Sequence, residues 1–182
     1  SSCSFNLLFN DTIYPSIVCP SDQNATYNSS CGYVLPDYTG ITSGSDNCGA
    51  ITLTQMPSPG TTVTAPSSII MSAEDMYGNV SNCAFNLVLT DVSVPLMSCS
   101  FSETIYLDEN CEVQLPNYAE LSGIIDNCDP DPVSVQSPPE GTMFIEEQVI
   151  NVSVVTTDSS GNVDSCQIEV LITTNSTSGC RE

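Results

Sequence analysis

Apolar and polar residues alternate with a period of two along much of the chain, the pattern of strands that bury one face. Pro- and Gly-rich clusters such as PSPG and SSGN separate these runs at intervals of roughly 8 to 14 residues, a spacing typical of antiparallel sandwiches. The pattern predicts an all-β protein built from Ig-like antiparallel β-sandwich modules. The clearest predicted inward-facing residues are Phe85, Leu87 and Leu89, then Ile150, Val152 and Val154, then Ile168, Val170 and Ile172.

The cysteines reveal an internal repeat. Cys19, Cys31 and Cys48 recur 80 residues later as Cys99, Cys111 and Cys128, and Cys83 recurs 83 residues later as Cys166. The intervening sequence agrees, with CGYVLPDY against CEVQLPNY and PSPGT against PPEGT. A repeat of this length predicts two tandem domains. We assign residues 14–93 to the first module, 94–182 to the second, and 1–13 to the last strand of a preceding module or to an inter-subunit strand.

Ten cysteines in 182 residues, with no His and a single basic residue, indicate a disulfide framework rather than a zinc site. Disulfides persist in oxidising compartments, so we expect a secreted, extracellular or cell-surface protein. Four cysteines in a module allow three connectivities. The favoured pairs are Cys19 with Cys31, Cys48 with Cys83, Cys99 with Cys111, and Cys128 with Cys166.

Two further cysteines are out of phase with the modules. Cys3 aligns with Cys83 and Cys166, and Cys180 falls where the first cysteine of a third module would stand. Two interpretations are favoured: the sequence is part of a longer tandem array, or it is a subunit that joins its neighbours head to tail. Both predict inter-module or inter-subunit roles for Cys3 and Cys180, and a closed monomer is the remaining alternative.

The charge balance limits the possible partners. The chain has 22 acidic residues against one basic residue, giving a formal net charge of -21. This disfavours nucleic acid and anionic membranes, and the sequence lacks the roughly 18-residue apolar run of a membrane span. Without His or Lys, a Ser-His-Asp arrangement and a Schiff-base lysine are excluded. We therefore predict no catalytic residues, no cofactor and no enzyme activity.

Acidic turns are the remaining candidates for chemistry. The D-x-x-GN segments at 75–79 and 158–162 predict tight turns in which Gly supplies a positive φ and Asp caps the backbone, with calcium binding as a lesser alternative. Asp126, Asp129 and Asp131 are weak calcium candidates because hard cations prefer several carboxylate oxygens. The alternative interpretation is a solvated acidic turn. Sequons at Asn24, Asn28 and Asn151 are the leading glycosylation candidates.

Several motifs together resemble the HYR, or hyalin, repeat. They are PSIVCPSD, C-x-x-x-LP from Cys31 to Pro36, DNC from Asp46 to Cys48, P-x-PG from Pro57 to Gly60, D-x-x-GN-x-x-x-C-x-F from Asp75 to Phe85, and LTD from Leu89 to Asp91. The second copy departs from the pattern in MSCSFSE and DNCDPDP. The resemblance implies Ig-like, disulfide-bonded modules that occur in tandem in cell-surface and matrix proteins of animals and of gliding Bacteroidetes, and that are associated with adhesion.

These observations favour a non-catalytic structural or adhesive module of an extracellular tandem array or filament. Its expected partners are copies of itself or neighbouring modules joined end to end. The alternative is a module that binds a glycan, a protein or another surface ligand with the assistance of calcium. No nucleic acid and no membrane insertion are expected.

Overall fold

The computed structural model describes residues 2–6, 10–99, 101–120, 123–175 and 180. The chain divides into two compact units, Ser1–Thr90 and Asp91–Glu182. The predicted module boundary between residues 93 and 94 lies three residues after this division. The described part of residues 1–13, predicted to belong to a neighbouring module or subunit, groups with the first unit; residue 1 and residues 7–9 lie outside the described residues.

The first unit is an Ig-like β-sandwich. Its strands are β1 (Ser16–Val18), β2 (Gln23–Thr26), β3 (Tyr33–Val34), β4 (Ser43–Ser45), β5 (Thr52–Met56), β6 (Thr62–Val63), β7 (Ser67–Glu74) and β8 (Val80–Thr90). The main sheet has the order β2-β8-β7-β5, and the pairs β3-β6 and β1-β4 complete the unit. All pairings are antiparallel except β2 with β8, which are far apart in the chain and therefore free to pair in parallel.

The second unit repeats this architecture. Its strands are β9 (Ser102–Tyr106), β10 (Val113–Gln114), β11 (Val133–Ser137), β12 (Met143–Phe144), β13 (Gln148–Thr157) and β14 (Val163–Thr173). The main sheet has the order β11-β13-β14-β9, again with one parallel pairing, β9 with β14. The bridge between Leu96 and Ile125 stands where β1 pairs with β4 in the first unit. The repeat seen in the sequence is thus a repeat of topology.

Period-two alternation correctly predicts which residues form the core. Phe85, Leu87 and Leu89 of β8 are buried, and Tyr38 packs edge-on against Phe85 with ring centroids 5.1 Å apart. In the second unit Val152, Val154, Ile168, Val170 and Ile172 are fully buried, and Ile150 is partly buried. Each core therefore lies against one face of a four-stranded sheet.

The disulfides differ from the predicted pairing. Cys19, directly after β1, bonds Cys83 of β8 with a Cα–Cα distance of 5.8 Å, and Cys99 bonds Cys166 at 5.9 Å. Strands β1 and β8 pack against each other, a long-range contact that neighbouring positions in the sequence do not reveal. The predicted pairs that the structure contradicts are Cys19–Cys31, Cys48–Cys83, Cys99–Cys111 and Cys128–Cys166.

The remaining cysteines require two more corrections. Cys180, predicted to join a neighbouring module or subunit, instead bonds Cys111 of its own unit, with a Cα–Cα distance of 5.5 Å. Cys48, predicted to bond Cys83, is free and exposed, and Cys83 is bonded to Cys19. Cys3 is also free and exposed, and Cys31 and Cys128 are disulfide-bonded.

The described N-terminal residues 2–6 and 10–15 contain no strand. Among the residues that the structure describes, no helix has the length and apolar character needed to cross a membrane.

Candidate metal centres

Three aspartates converge in each unit. Asp11, Asp46 and Asp75 each place one carboxylate oxygen within 4.8 Å of the others, and Asp91, Asp126 and Asp158 do the same in the second unit. The two sets occupy equivalent positions of the repeat. In each set, one aspartate lies in the segment that enters the module, one in the Asp-Asn-Cys turn, and one in the turn between the last two strands. We call them the first and second aspartate clusters.

The D-x-x-GN segment is a tight turn capped by its Asp, as predicted, and this Asp is the third aspartate of each cluster. Asp75 follows β7, and its Oδ1 accepts hydrogen bonds from the backbone N–H groups of Tyr77 and Asn79, each at 2.8 Å. Gly78 has a φ of 88°, a conformation that glycine adopts at little cost. The Asn79 side chain donates to Asp75 Oδ2 at 2.7 Å and to the backbone carbonyl of Asp11 at 3.1 Å. Asn79 therefore joins the turn to the entering segment.

The same arrangement recurs around Asp158. Its Oδ1 accepts the N–H groups of Ser160 and Asn162, and Gly161 has a φ of 88°. The Asn162 side chain donates to Asp158 Oδ2 at 2.8 Å and to the Asp91 carbonyl at 3.3 Å. Asp75 and Asp158 are each 6% exposed. Both turns thus hold a carboxylate at the edge of the core.

The Asp-Asn-Cys turn supplies the second aspartate. Asp46 follows β4, and its Oδ2 accepts the backbone N–H of Cys48 at 2.8 Å. Asp126 follows the bridged residue Ile125, and its Oδ1 accepts the N–H groups of Cys128 and Asp129 at 2.9 and 2.8 Å. In each turn one carboxylate oxygen caps the backbone, which is the usual behaviour of Asp in a tight turn.

The first aspartate lies in the segment that enters the module. Asp11 Oδ1 accepts the Ile13 N–H at 2.9 Å, and Asp91 Oδ1 accepts the Ser93 N–H at 3.0 Å. Neither Asp11 nor Asp91 is among the site residues predicted from the sequence. The alignment of LLFND with LVLTD, combined with the recurrence of Asp46 and Asp75, would have identified a set of three repeated aspartates.

Buried carboxylate oxygens in these clusters lack hydrogen-bond partners. In the second cluster Asp91 is 5% exposed, and both its Oδ2 and the Oδ2 of Asp126 are buried without a partner. In the first cluster Asp46 Oδ1 is buried without a partner. A buried polar oxygen without a hydrogen-bond partner is costly, so a ligand that contacts these atoms would be favoured.

Three of the six cluster aspartates, Asp11, Asp75 and Asp158, have pKa values below their usual range. Burial raises the pKa of Asp75, but the hydrogen bonds from Asn79 and Tyr77 outweigh it, so the pKa lies below its usual range. The same balance lowers the pKa of Asp158. The Ile13 N–H and the Cys48 thiol hold the pKa of Asp11 below its usual range as well. Asp11, Asp75 and Asp158 therefore carry negative charge at neutral pH.

The thiol of Cys48 borders the first cluster. The hydrogen bond between this thiol and Asp11, together with burial and the neighbouring carboxylates, raises the pKa of Cys48. The thiol form is a poor metal ligand compared with a thiolate, and Cys128 at the equivalent position is disulfide-bonded. The donors available at both clusters are therefore carboxylate oxygens.

The predicted calcium residues separate in the structure. Asp126 belongs to the second cluster, whereas Asp129 braces the adjacent turn by accepting the N–H groups of Asp131 and Ser159 at 2.9 and 2.7 Å. Asp131 is exposed. The predicted sequon residues Asn24, Asn28 and Asn151 are all exposed, and whether they carry glycans stays a prediction.

Comparison with known proteins gives similarity at the level of structure alone. No protein-family profile matches the chain, and no curated protein matches its sequence. Solved structures similar to it include protocadherin gamma C5 EC1-3, at 15% identity and TM-score 0.46 over 87% of this chain and 68% of that one. Mouse cadherin-23 EC22-24 is 12% identical, with a TM-score of 0.42 over 87% and 66% of the two chains.

A further similar structure is PcdhgB3 EC1-4, at 9% identity and TM-score 0.40 over 87% of this chain. The chain spans half the length of that protein fragment. At TM-scores below 0.5 and these identities, the likeness does not extend to function.

Proposed function

We propose that this chain is a non-catalytic structural and adhesive part of an extracellular tandem array or filament. One observation carries the proposal: the two units share sheet order, a parallel edge pairing and a disulfide from the first strand region to the last strand. Repetition of one module is the usual way to build an extended protein from units that fold separately. The absence of His and Lys from the sequence supports a non-catalytic role.

The disulfides support an extracellular location. Cys19–Cys83 and Cys99–Cys166 each enclose most of a small module, with sequence separations of 64 and 67 residues. Closing a loop of this length contributes on the order of 4 kcal/mol through loop-closure entropy. Units of this size gain much of their stability from such bonds, which persist only in oxidising surroundings.

Cys3 is the proposed covalent link to a neighbour. It aligns with Cys83 and Cys166, whose partners are Cys19 and Cys99, so its expected partner is the equivalent first cysteine of another module. Within the described residues Cys3 is exposed and unbonded, so its thiol is accessible to a cysteine of another module. The neighbouring module belongs either to the same polypeptide or to another copy.

Membership of the HYR family is part of the proposal. The motifs that carry the resemblance lie at structurally equivalent places in the two units: the DNC turn after the first strand pair, and the D-x-x-GN turn between the last two strands. Adhesion through the surface of the array, the role associated with that family, follows as an expectation.

The test is electron microscopy of native material, combined with the mass of the reduced native polypeptide. An array predicts extended particles with a regular axial repeat, either from a polypeptide much larger than 19.3 kDa or from filaments of a 19.3 kDa subunit. Compact monomers of 19.3 kDa in native material would contradict the proposal.

A further inference from the structure

We infer that each module binds one divalent cation of the calcium type, at Asp11, Asp46 and Asp75 in the first unit and at Asp91, Asp126 and Asp158 in the second. The inference goes beyond the array proposal, because it concerns a site inside each module. It holds whether or not the modules are joined to others.

The first argument is geometric. Carboxylate oxygens from three separate segments lie within 4.8 Å of one another in each cluster. Calcium takes oxygen ligands at about 2.3–2.6 Å, so oxygens on opposite sides of one ion are roughly 5 Å apart. One calcium ion can therefore contact all three carboxylates, and water or backbone carbonyls would complete its 6–8 ligands.

The second argument comes from unused oxygens. The side chain of Asp91 is buried, with 5% exposure, and its Oδ2 accepts no hydrogen bond. The Asp126 Oδ2 in the same cluster is also buried without a partner, as is Asp46 Oδ1 in the first cluster. In each case the other oxygen of the carboxylate already accepts a backbone N–H. Asp46, Asp91 and Asp126 are thus each held by one oxygen, and the other oxygen is left for a ligand.

The third argument is charge balance. The six carboxylates of the two clusters share a sequence that has one basic residue, Arg181, which lies outside the described residues. One guanidinium cannot neutralise two clusters, so the balancing charge must come from solution. Carboxylate oxygens favour Ca²⁺, Mg²⁺ or Mn²⁺ over zinc or copper, and the sequence has no His to favour the latter.

Recurrence in both units strengthens the assignment. The entering aspartate, the Asp-Asn-Cys turn and the D-x-x-GN turn come together in each module, although the second module carries a three-residue insertion before its last turn. Asn79 and Asn162 make matching bonds that hold the entering segment against the turn. The arrangement of ligands is therefore kept while the connecting sequence changes.

Isothermal titration of the chelator-treated full chain with CaCl₂ tests this inference. We expect two binding equivalents per chain, with dissociation constants on the order of 10⁻⁴ to 10⁻³ M, as in extracellular calcium modules. Asp91→Asn and Asp46→Asn should each remove one equivalent, and the double variant both. Asn can still accept the backbone bond that each aspartate makes, so the turns should be kept.

Asp131→Asn is the matched control, because it removes one exposed carboxylate close to the second cluster without touching it. It should retain two equivalents. Thermal unfolding in chelator checks the fold: the Asp91→Asn variant should unfold no lower than wild type, since it removes one of three mutually repelling carboxylates.

A measurement on the wild-type chain keeps the inference testable if the variants fail to fold. In ¹⁵N-labelled wild-type chain, calcium should shift the amide resonances of Ser93, Cys128 and Asn162, which donate to the cluster carboxylates. No heat and no shifts at about 10 mM CaCl₂, a cation level well above the expected constants, would overturn the inference. So would two equivalents in the double variant, and equal binding of MgCl₂ would overturn the assignment to an ion of calcium's size.

Discussion

The side-chain oxygen of Gln55 accepts the backbone N–H of Tyr38 at 2.8 Å, 17 residues away in the chain. The same amide donates to the backbone carbonyls of Pro36 and Pro57, each at 3.1 Å. Gln136 makes the equivalent three bonds with Tyr118, Pro116 and Pro138 in the second unit. A glutamine from the edge strand of the main sheet thus fixes the loop that contributes the core tyrosine.

We predict that Gln55→Met destabilises the first unit by about 3 kcal/mol, because it leaves a buried N–H and two carbonyls without their partner. Urea unfolding followed by tyrosine fluorescence measures this loss. Gln167→Met, at an exposed position of β14, is the control and should change stability by less than about 0.5 kcal/mol. Equal effects of the two substitutions would show that the glutamine network does not support the fold.

Acid should destabilise both units through Asp75 and Asp158. Their folded-state pKa values lie below the usual range, so their contribution is present above the unfolded pKa of roughly 3.9 and is lost as pH falls through the folded pKa. Urea midpoints measured in chelator from pH 7 downward should therefore decline below about pH 4.

The double variant Asp75→Asn/Asp158→Asn isolates this effect. It should be less stable than wild type at neutral pH and should approach wild type as the pH falls, because only the wild-type carboxylates lose a favourable charge. Asp131→Asn should keep the wild-type profile. A double variant with an unchanged acid decline would assign the pH dependence to other groups.

Cys48 should react slowly with iodoacetamide near neutral pH. Its pKa is raised by the hydrogen bond to Asp11 and by the nearby carboxylates, and the thiolate is the reactive form. Asp11→Asn should accelerate alkylation of Cys48, which peptide mass spectrometry follows over time. Asp22→Asn, a substitution on another loop of the same unit, serves as control. Absence of any Cys48 labelling in the unfolded, unreduced chain would mean that this cysteine is disulfide-bonded.

The bond between Cys19 and Cys83 should carry much of the first unit's stability. We expect Cys19→Ser/Cys83→Ser to cost about 4 kcal/mol, the loop-closure contribution for a separation of 64 residues. Urea unfolding under non-reducing conditions measures it. Cys3→Ser, which removes a thiol that is unbonded in the chain, should have little effect. A full-sized loss in the Cys3→Ser control would place a stabilising bond there.

The features predictable from the sequence are those set by near neighbours. Alternation assigns Phe85 and Leu87 to the core because strand periodicity is local, and the turn at Asp75 follows from the needs of a tight turn. The partner of Cys19 is not predictable in this way, because it depends on β1 packing against β8. The joining of Asp11 with Asp46 and Asp75 likewise depends on three segments that meet only in the folded unit.

Gln55 illustrates the same limit. Gln55 lies on the inward face of β5, but nothing local in the sequence indicates that a loop 17 residues earlier supplies its partner. The repeat partly compensates, since residues kept in both copies, such as Gln55 and Gln136 or the six clustered aspartates, are those that bond across the module.

The most direct test of the array is disulfide mapping of native material by non-reducing mass spectrometry after pepsin digestion, since the sequence offers trypsin one basic residue. We predict the pairs Cys19–Cys83 and Cys99–Cys166, with Cys3 bonded to the first cysteine of a neighbouring module or of another copy. Cys3 recovered as a free thiol, or bonded to another cysteine of the same copy of these 182 residues, would contradict the proposal that these modules are joined end to end.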